Sequence, residues 1–418
     1  MSRPIECARW PYILILCLFV AGCRDEDAQP EADLVRDSAG VRIVELGSHS
    51  SGETPSILRI AAEPDLVLAN REDDPAFQFV GVVDAASLPN GELAVAIQRP
   101  ASVRVFSSTG DYQRTIGGPG SGPGEFRGLH WIEALAADTL IASDRGLRRV
   151  THFDGSGAVA ATVTFTRPSS SEVAASAGAP IPIGILRDGS YIVATYLPPP
   201  VQAGPVRPSV ELSRYGSDGS WIVDLGAWPG DELFMQQAGS QLDVLTPPFA
   251  RTTRIAVDED GVWIVDSEQS EIARYSASGQ LTISVRGVAQ RVDVTPHLLQ
   301  RFLEEKYEEV SDTETRQRLI DEQVNINYHT SAPVFSDLRV GDRVVWVAQF
   351  QAPDERAVVT WHGFSRDMSD LYSLEIPVEM RVIRFESGTV IVAMRDEYDR
   401  ESVRRYRIEP GIEQADRL

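Results

Sequence analysis

From about residue 78 the apolar residues fall into short runs separated by turns rich in glycine and aspartate. Runs such as Val262–Val265 (VWIV) and Val390–Ala393 (VIVA) have the length of strands and are apolar at every position, so they predict strands covered on both faces. A phrase recurs around them: an apolar strand, a turn with Gly or Asp, a second strand, a third strand ending in an aromatic residue, and Gly four positions later. Its clear copies run from Leu88–Gly91 to Phe106 and Gly110, and from Ala137–Asp138 to Phe153 and Gly157. Two more run from Arg187–Gly189 to Tyr215 and Gly219, and from Asp258–Gly261 to Tyr275 and Gly279. Weaker copies surround Gly341–Trp361 and Gly388–Tyr406. Six units of three or four short strands predict an all-β fold, a six-bladed β-propeller over residues 41–418.

The phrase carries its own physics. Asn90-Gly91 and Asp188-Gly189 suit hairpin turns because Gly tolerates positive φ. The aromatic that ends each third strand is expected to pack between blades. The third copy is stretched by a proline-rich segment, Pro198–Pro208, which cannot continue a paired strand. The chain ends soon after the sixth unit's third strand, so an N-terminal strand within 41–46 or 57–68 is expected to supply the missing outer strand.

One stretch departs from the strand pattern. Thr295-Pro296 reads as a helix start, with Leu298, Leu299, Phe302 and Leu303 on one face. Ser311–Glu314 (SDTE) reads as a capping box for a second helix ending near Gln323. The expectation is a small helical hairpin, about 295–325, inserted between blades four and five, acting as a lid over one mouth or as an arm that docks a partner.

Composition narrows the function classes. With 39 Lys+Arg against 61 Asp+Glu the formal charge is −22, which argues against nucleic acid and against an anionic membrane surface. Arg3 and Arg9 precede an apolar run, Trp10–Val20, that is too short to span a bilayer and has the plan of a signal peptide, residues 1–22. Phe19–Cys23 (FVAGC) resembles the bacterial lipobox. The resemblance implies cleavage before Cys23, lipidation of Cys23, and a polar tether across residues 23–40. Cleavage there also removes Cys7 and Cys17, so disulfides, cysteine zinc sites and cysteine nucleophiles are not expected.

Catalytic signatures are sparse. No Ser stands in a Gly-x-Ser-x-Gly context, and the six histidines show no zinc spacing. Gly117–Gly124 lacks the Lys-Ser/Thr of a phosphate loop, and two prolines remove amide donors, so it reads as an inter-blade turn. Asp258–Gly261 is out of register for a calcium loop and reads as a hairpin turn. Inner strands should carry the polar residues that face a central channel. Candidates for binding there are His130, Glu133, Arg254, Arg381 and Arg384, with Asp84 and Arg339 beside them. The set is rich in Arg, which suits an acidic group better than a metal cation.

Gly117–Phe126 (GGPGSGPGEF), after a third strand and an Ile-Gly pair, resembles the link between blades in NHL-type propellers. Asp144 and Asp266 stand where the NHL phrase places its Asp, while Gln98 and Tyr196 depart from it. The chain is similar at fold level to bacterial six-bladed propeller lipoproteins of the NHL-repeat and TolB-like kind. That resemblance implies a membrane-anchored protein of the cell envelope, periplasmic or extracellular, and brings no reaction with it. The reading from sequence is a module that binds a small ligand or an envelope protein, touches the membrane only through its anchor, and needs no cofactor. Its rival is a metal-dependent lactonase, hydrolase or lyase with a divalent cation in the channel.

Overall fold

The copies of the repeated phrase fold into antiparallel sheets of four strands, the fourth widened by two N-terminal strands and the fifth and sixth joined edge to edge through Ser56–Ile60, in a computed structural model that describes residues 34–46, 55–135, 139–167, 178–238, 241–326, 329–353 and 357–411. The signal peptide, Cys23, most of the tether and the Ala137–Asp138 turn lie outside the described residues. The first sheet contains Val82–Ser87, Leu93–Gln98, Ala101–Phe106 and Tyr112–Ile116 in that order. Four more begin with Leu129–Ala134, Pro180–Ile185, Thr253–Val257 and Phe335–Val340, and a sixth begins with Arg381–Glu386. The first strand of each sheet is innermost. These inner strands pack side by side around a central channel, the arrangement of a β-propeller.

The aromatic of each third strand packs back on the sheet before it. Phe106 joins Ile383 and Ile391 of the sixth sheet, Phe153 joins Ala94 and Val103 of the first, and Tyr215 joins Ile141 and Val150 of the second. Tyr275, Phe364 and Tyr406 repeat this against the third, fourth and fifth sheets. The Gly four residues later turns the chain with φ of +80° to +89° at Gly110, Gly157, Gly219 and Gly279. In the fifth sheet Met368 holds that left-handed position with φ +59°, and its amide donates to Ser365 O as the glycine amides do in their turns. A Met in a turn that favours Gly is why this copy is faint in the sequence.

N-terminal strands close the ring. Leu66–Leu68 is the fourth strand of the sixth sheet, antiparallel to Glu401–Pro410. Ser56–Ile60 lies between two sheets, parallel to Leu371–Pro377 and antiparallel to the end of Glu401–Pro410. Val41–Glu45 instead extends the fourth sheet, parallel to Leu281–Arg286, with Leu34–Ser38 outside it. The proline-rich segment leaves the third sheet and contributes Gly204–Val206 to a separate three-stranded sheet with Leu233–Ala238 and Gln241–Leu245.

Two helices, α1 (Pro296–Lys306) and α2 (Thr313–Val324), follow the fourth sheet. Thr295 caps α1, its hydroxyl accepting from the Leu298 amide at 3.1 Å. The cap of α2 is Asp312 rather than Ser311, since the Asp312 carboxylate is the group that accepts from the Thr315 amide. Leu298, Leu299, Leu303 and Ile320 pack on Phe249, Ala332 and Ala352, in the loops beside the inner strands of sheets four and five. Neither helix contributes a residue to the lining of the two channel cavities described next. Among the described residues no helix is long and apolar enough to cross a membrane.

Candidate functional site: the central channel

The inner strands are not regular. Their pairing with the second strands slips by one residue between Val82 and Asp84, Leu129 and Trp131, Pro182 and Gly184, Phe335 and Asp337, and Val382 and Arg384. A bulge re-aims the side chains that follow it. The fourth inner strand, Thr253–Val257, keeps its register. Four of the five bulged residues, Val83, His130, Ile183 and Ile383, line the channel, and the fifth, Ser336, lines an adjoining cavity.

The channel holds two cavities. One, of about 360 Å³, is lined from all six inner strands, including Asp84, His130, Gly184, Arg254, Arg339 and Arg384. The other, of about 820 Å³, opens at the far ends of those strands, near Ser87, Arg187, Glu259, Asp342 and Glu386. Glu133 and Arg384 line both, so they stand at the boundary.

Arg384 is the hub of that boundary. Its Nη2 donates to Asp84 Oδ2 at 2.8 Å and to Ile132 O at 2.6 Å, and its Nη1 donates to Glu133 Oε2 at 2.9 Å. Asp84 Oδ2 also accepts from the Ile132 amide at 2.9 Å. Three sheets are thereby joined, the sixth to the first and second. Burial works against the charge of Arg384, but the carboxylates of Asp84 and Glu133 outweigh it and hold the guanidinium more firmly protonated than usual.

The other candidates sit nearby with different partners. Arg381 faces an adjoining cavity rather than the channel, and donates to Val82 O at 2.8 Å and to Glu401 at 3.3 Å. Glu401, buried and absent from the candidates read in the sequence, accepts from the Val82 amide at 2.7 Å and ties sheet six to sheet one. Arg254 donates to Ser336 O at 3.2 Å and meets Asp231 only at 4.0 Å. Arg339 pairs with Asp337 at 3.0 Å.

His130 is distinct. Its Nδ1 is buried and has no hydrogen-bond partner among the described residues. Burial, helped by the charge of Arg145, lowers its proton affinity below that of an ordinary His, while Asp84 acts the other way. Tyr196 lines the same cavity and is about half exposed. His152 and His362 lie elsewhere and are also kept neutral by burial. His152 Nε2 is 2.5 Å from the hydroxyl of Tyr191, whose proton affinity burial pushes up to about 12, so Tyr191 keeps its proton.

The conspicuous acidic and glycine-rich motifs have local work. Asp144 accepts from the amides of Arg127, Gly128 and Leu147, pinning the entry to the second inner strand. Asp266 binds Arg207 of the proline-rich segment at 2.6 Å. Asp258 accepts from Trp263 Nε1 at 2.7 Å and Arg274 Nε at 2.9 Å. Within Gly117–Phe126, Gly118–Pro119 pairs in parallel with Glu125–Phe126, and a Cβ on Gly117 would fall 2.4 Å from the buried Phe126 ring. Among the described residues no three His, Cys, Asp or Glu side chains converge as metal ligands.

No family model matches the chain, and no curated protein matches it. Solved structures of similar fold include a protein described as exported, from Bacteroides fragilis, at 12% identity and a TM-score of 0.49, covering 88% of this chain and 100% of that one. A DUF4221-family member from Bacteroides vulgatus has 7% identity and a TM-score of 0.47, covering 86% and 100%. Virginiamycin B lyase from Staphylococcus aureus has 11% identity and a TM-score of 0.36, covering 78% and 94%. At this distance the likeness brings no activity, ligand or partner with it.

Proposed function

We propose that the chain is a lipid-anchored, six-bladed β-propeller of the bacterial cell envelope, of the NHL-repeat and TolB-like kind, which binds a small ligand or an envelope protein and carries out no reaction. One observation carries this reading. The channel's central charged groups, Arg384, Asp84 and Glu133, pair with one another across three sheets, one guanidinium holding two carboxylates. A general acid or base must be free to exchange a proton with a substrate, and a cation site needs carboxylates facing it. Here the two carboxylates are held by one guanidinium and act as a fastening. The anchor rests on the Phe19–Cys23 resemblance to a lipobox.

The test is thermal unfolding of the full chain in chelator and then with excess Ca²⁺, Mg²⁺, Mn²⁺ or Zn²⁺. A native-state ion site at a hundredfold excess over Kd stabilises by about 2.7 kcal/mol, a shift of a few degrees. The expected result is no shift with any ion. A clear shift with one ion would replace this reading by a metal-dependent lactonase, hydrolase or lyase. For the anchor, Cys23→Ala is expected to release the protein from the membrane fraction; retention of the variant there would contradict lipidation.

A further inference from the structure

The two cavities differ in how completely their polar groups are matched. At the Arg384 boundary every charged group has a close partner. Toward the opposite mouth four groups are matched loosely or not at all. His130 Nδ1 is buried without a partner. Tyr196 is half exposed and Arg145 exposed, and neither side chain is held by another described residue. Arg254 uses Nε on a backbone carbonyl and has only Asp231 at 4.0 Å, with both side chains well exposed.

Three of these groups share one place, and Arg145, exposed and outside the lining, lies near it. His130, Tyr196 and Arg254 line the same cavity of about 360 Å³, and Arg145 is close enough to act electrostatically on both His130 and Tyr196. A buried polar atom without a partner costs free energy, and a ligand or water must satisfy it. Two guanidinium groups and a phenol supply hydrogen-bond donors and positive charge, and a neutral imidazole can donate or accept. That set matches a planar or tetrahedral oxyanion better than a cation or a neutral apolar molecule. The volume lies at the small end of ligand pockets.

We propose that this mouth of the channel binds a small molecule bearing an oxyanion group, with Arg254 and Arg145 holding its charge and His130 and Tyr196 setting its orientation. The proposal rests on the binding-module reading and names the ligand chemistry of that module. Binding of the anion is expected to raise the proton affinity of His130, because it offsets the repulsion from Arg145. Asp84 and Glu133, both bound to Arg384, Arg384 itself, Arg254 and the Asp337-paired Arg339 are the other charged groups lining the cavity of that imidazole.

Isothermal titration of the full chain at low salt with citrate, and separately with inorganic phosphate, tests this. At least one anion is expected to bind: citrate if the site is built for a carboxylate, phosphate if for a phosphoryl group. Arg254→Gln and Arg145→Gln should each weaken that binding about tenfold, and Tyr196→Phe somewhat less. The His130 imidazole resonance should titrate at higher pH in the complex. The Arg145 side of the site is exposed, so an unchanged melting temperature would verify that this variant folds. No binding of either anion at millimolar concentration, or binding that the Arg145→Gln/Arg254→Gln pair leaves untouched, would overturn the proposal. Such a failure with no divalent-ion shift removes the oxyanion site and leaves the binding module; a divalent-ion shift removes the module itself.

Discussion

The two ends of the channel are built from the same six strands and put their charges to different use. At the boundary one guanidinium meets two carboxylates at hydrogen-bond distance, and a fifth of the Arg384 side chain is open to the cavity. At the His130 mouth, Arg254 and Asp231 are both exposed and 4.0 Å apart, and Arg145 is unpaired among the described residues. Matched charge in a confined space fastens sheets together. Loosely matched charge beside an orphaned imidazole is available to a ligand. Under the proposal made above, ligand binding is expected where pairing is incomplete.

The largest effect separating the two ends should come from removing the hub. Arg384→Met leaves two carboxylates facing each other and is expected to destabilise the fold by about 3 kcal/mol, whereas Arg254→Met should cost under about 1 kcal/mol. Denaturant unfolding of the two variants measures both; equal losses would erase the distinction.

Acid gives the next effect. His130, His152 and His362 all have proton affinity lowered by burial, so the unfolded chain binds more protons than the native one below the ordinary His range. Stability should thus be complete above that range and fall as pH drops through about 6.5, by up to about 1.4 kcal/mol per pH unit for each proton taken up. His130→Gln should flatten the slope, which unfolding at a series of pH values would show. A slope unchanged in that variant would mean that burial does not lower the proton affinity of His130 in the fold.

Thr295→Ala should cost about 1 kcal/mol through loss of the α1 cap. Because the helices line neither cavity, anion affinity at the His130 mouth should stay the same; a change there would make the helices a lid. Smallest of all, Asp231→Asn should leave stability within about 0.5 kcal/mol and strengthen anion binding a few-fold by freeing Arg254. Titration calorimetry on the variant measures this, and weaker binding would place Asp231 in the site as a ligand contact.

Much of the fold was legible in the sequence because its determinants are local. The turn glycines, the aromatic closing each third strand and the Thr295-Pro296 helix start are each written within a few residues. The Met368 turn blurred one copy of the phrase, and Asp312 beside Ser311 offered two caps where geometry uses one. The ring's closure by Leu66–Leu68 was visible only as a choice between N-terminal segments, since pairing with Glu401–Pro410 spans more than 300 residues. The site was harder to read. Asp84, Glu133 and Arg384 are recognisable as polar residues on inner strands, but their mutual pairing depends on bulges that no local pattern announces. Arg381, at the first position of the sixth inner strand, lines an adjoining cavity instead, a difference of place along the strand that the sequence pattern does not mark.

The most direct test of the account is a double-mutant cycle of Arg384→Met and Asp84→Asn, read by denaturant unfolding. A fastened triad predicts a coupling of about 2 kcal/mol between the two substitutions, since Arg384→Met strands the Asp84 carboxylate and Asp84→Asn removes one of the two carboxylates that hold Arg384. Additivity within about 0.5 kcal/mol would contradict it and leave Arg384 free to meet a ligand.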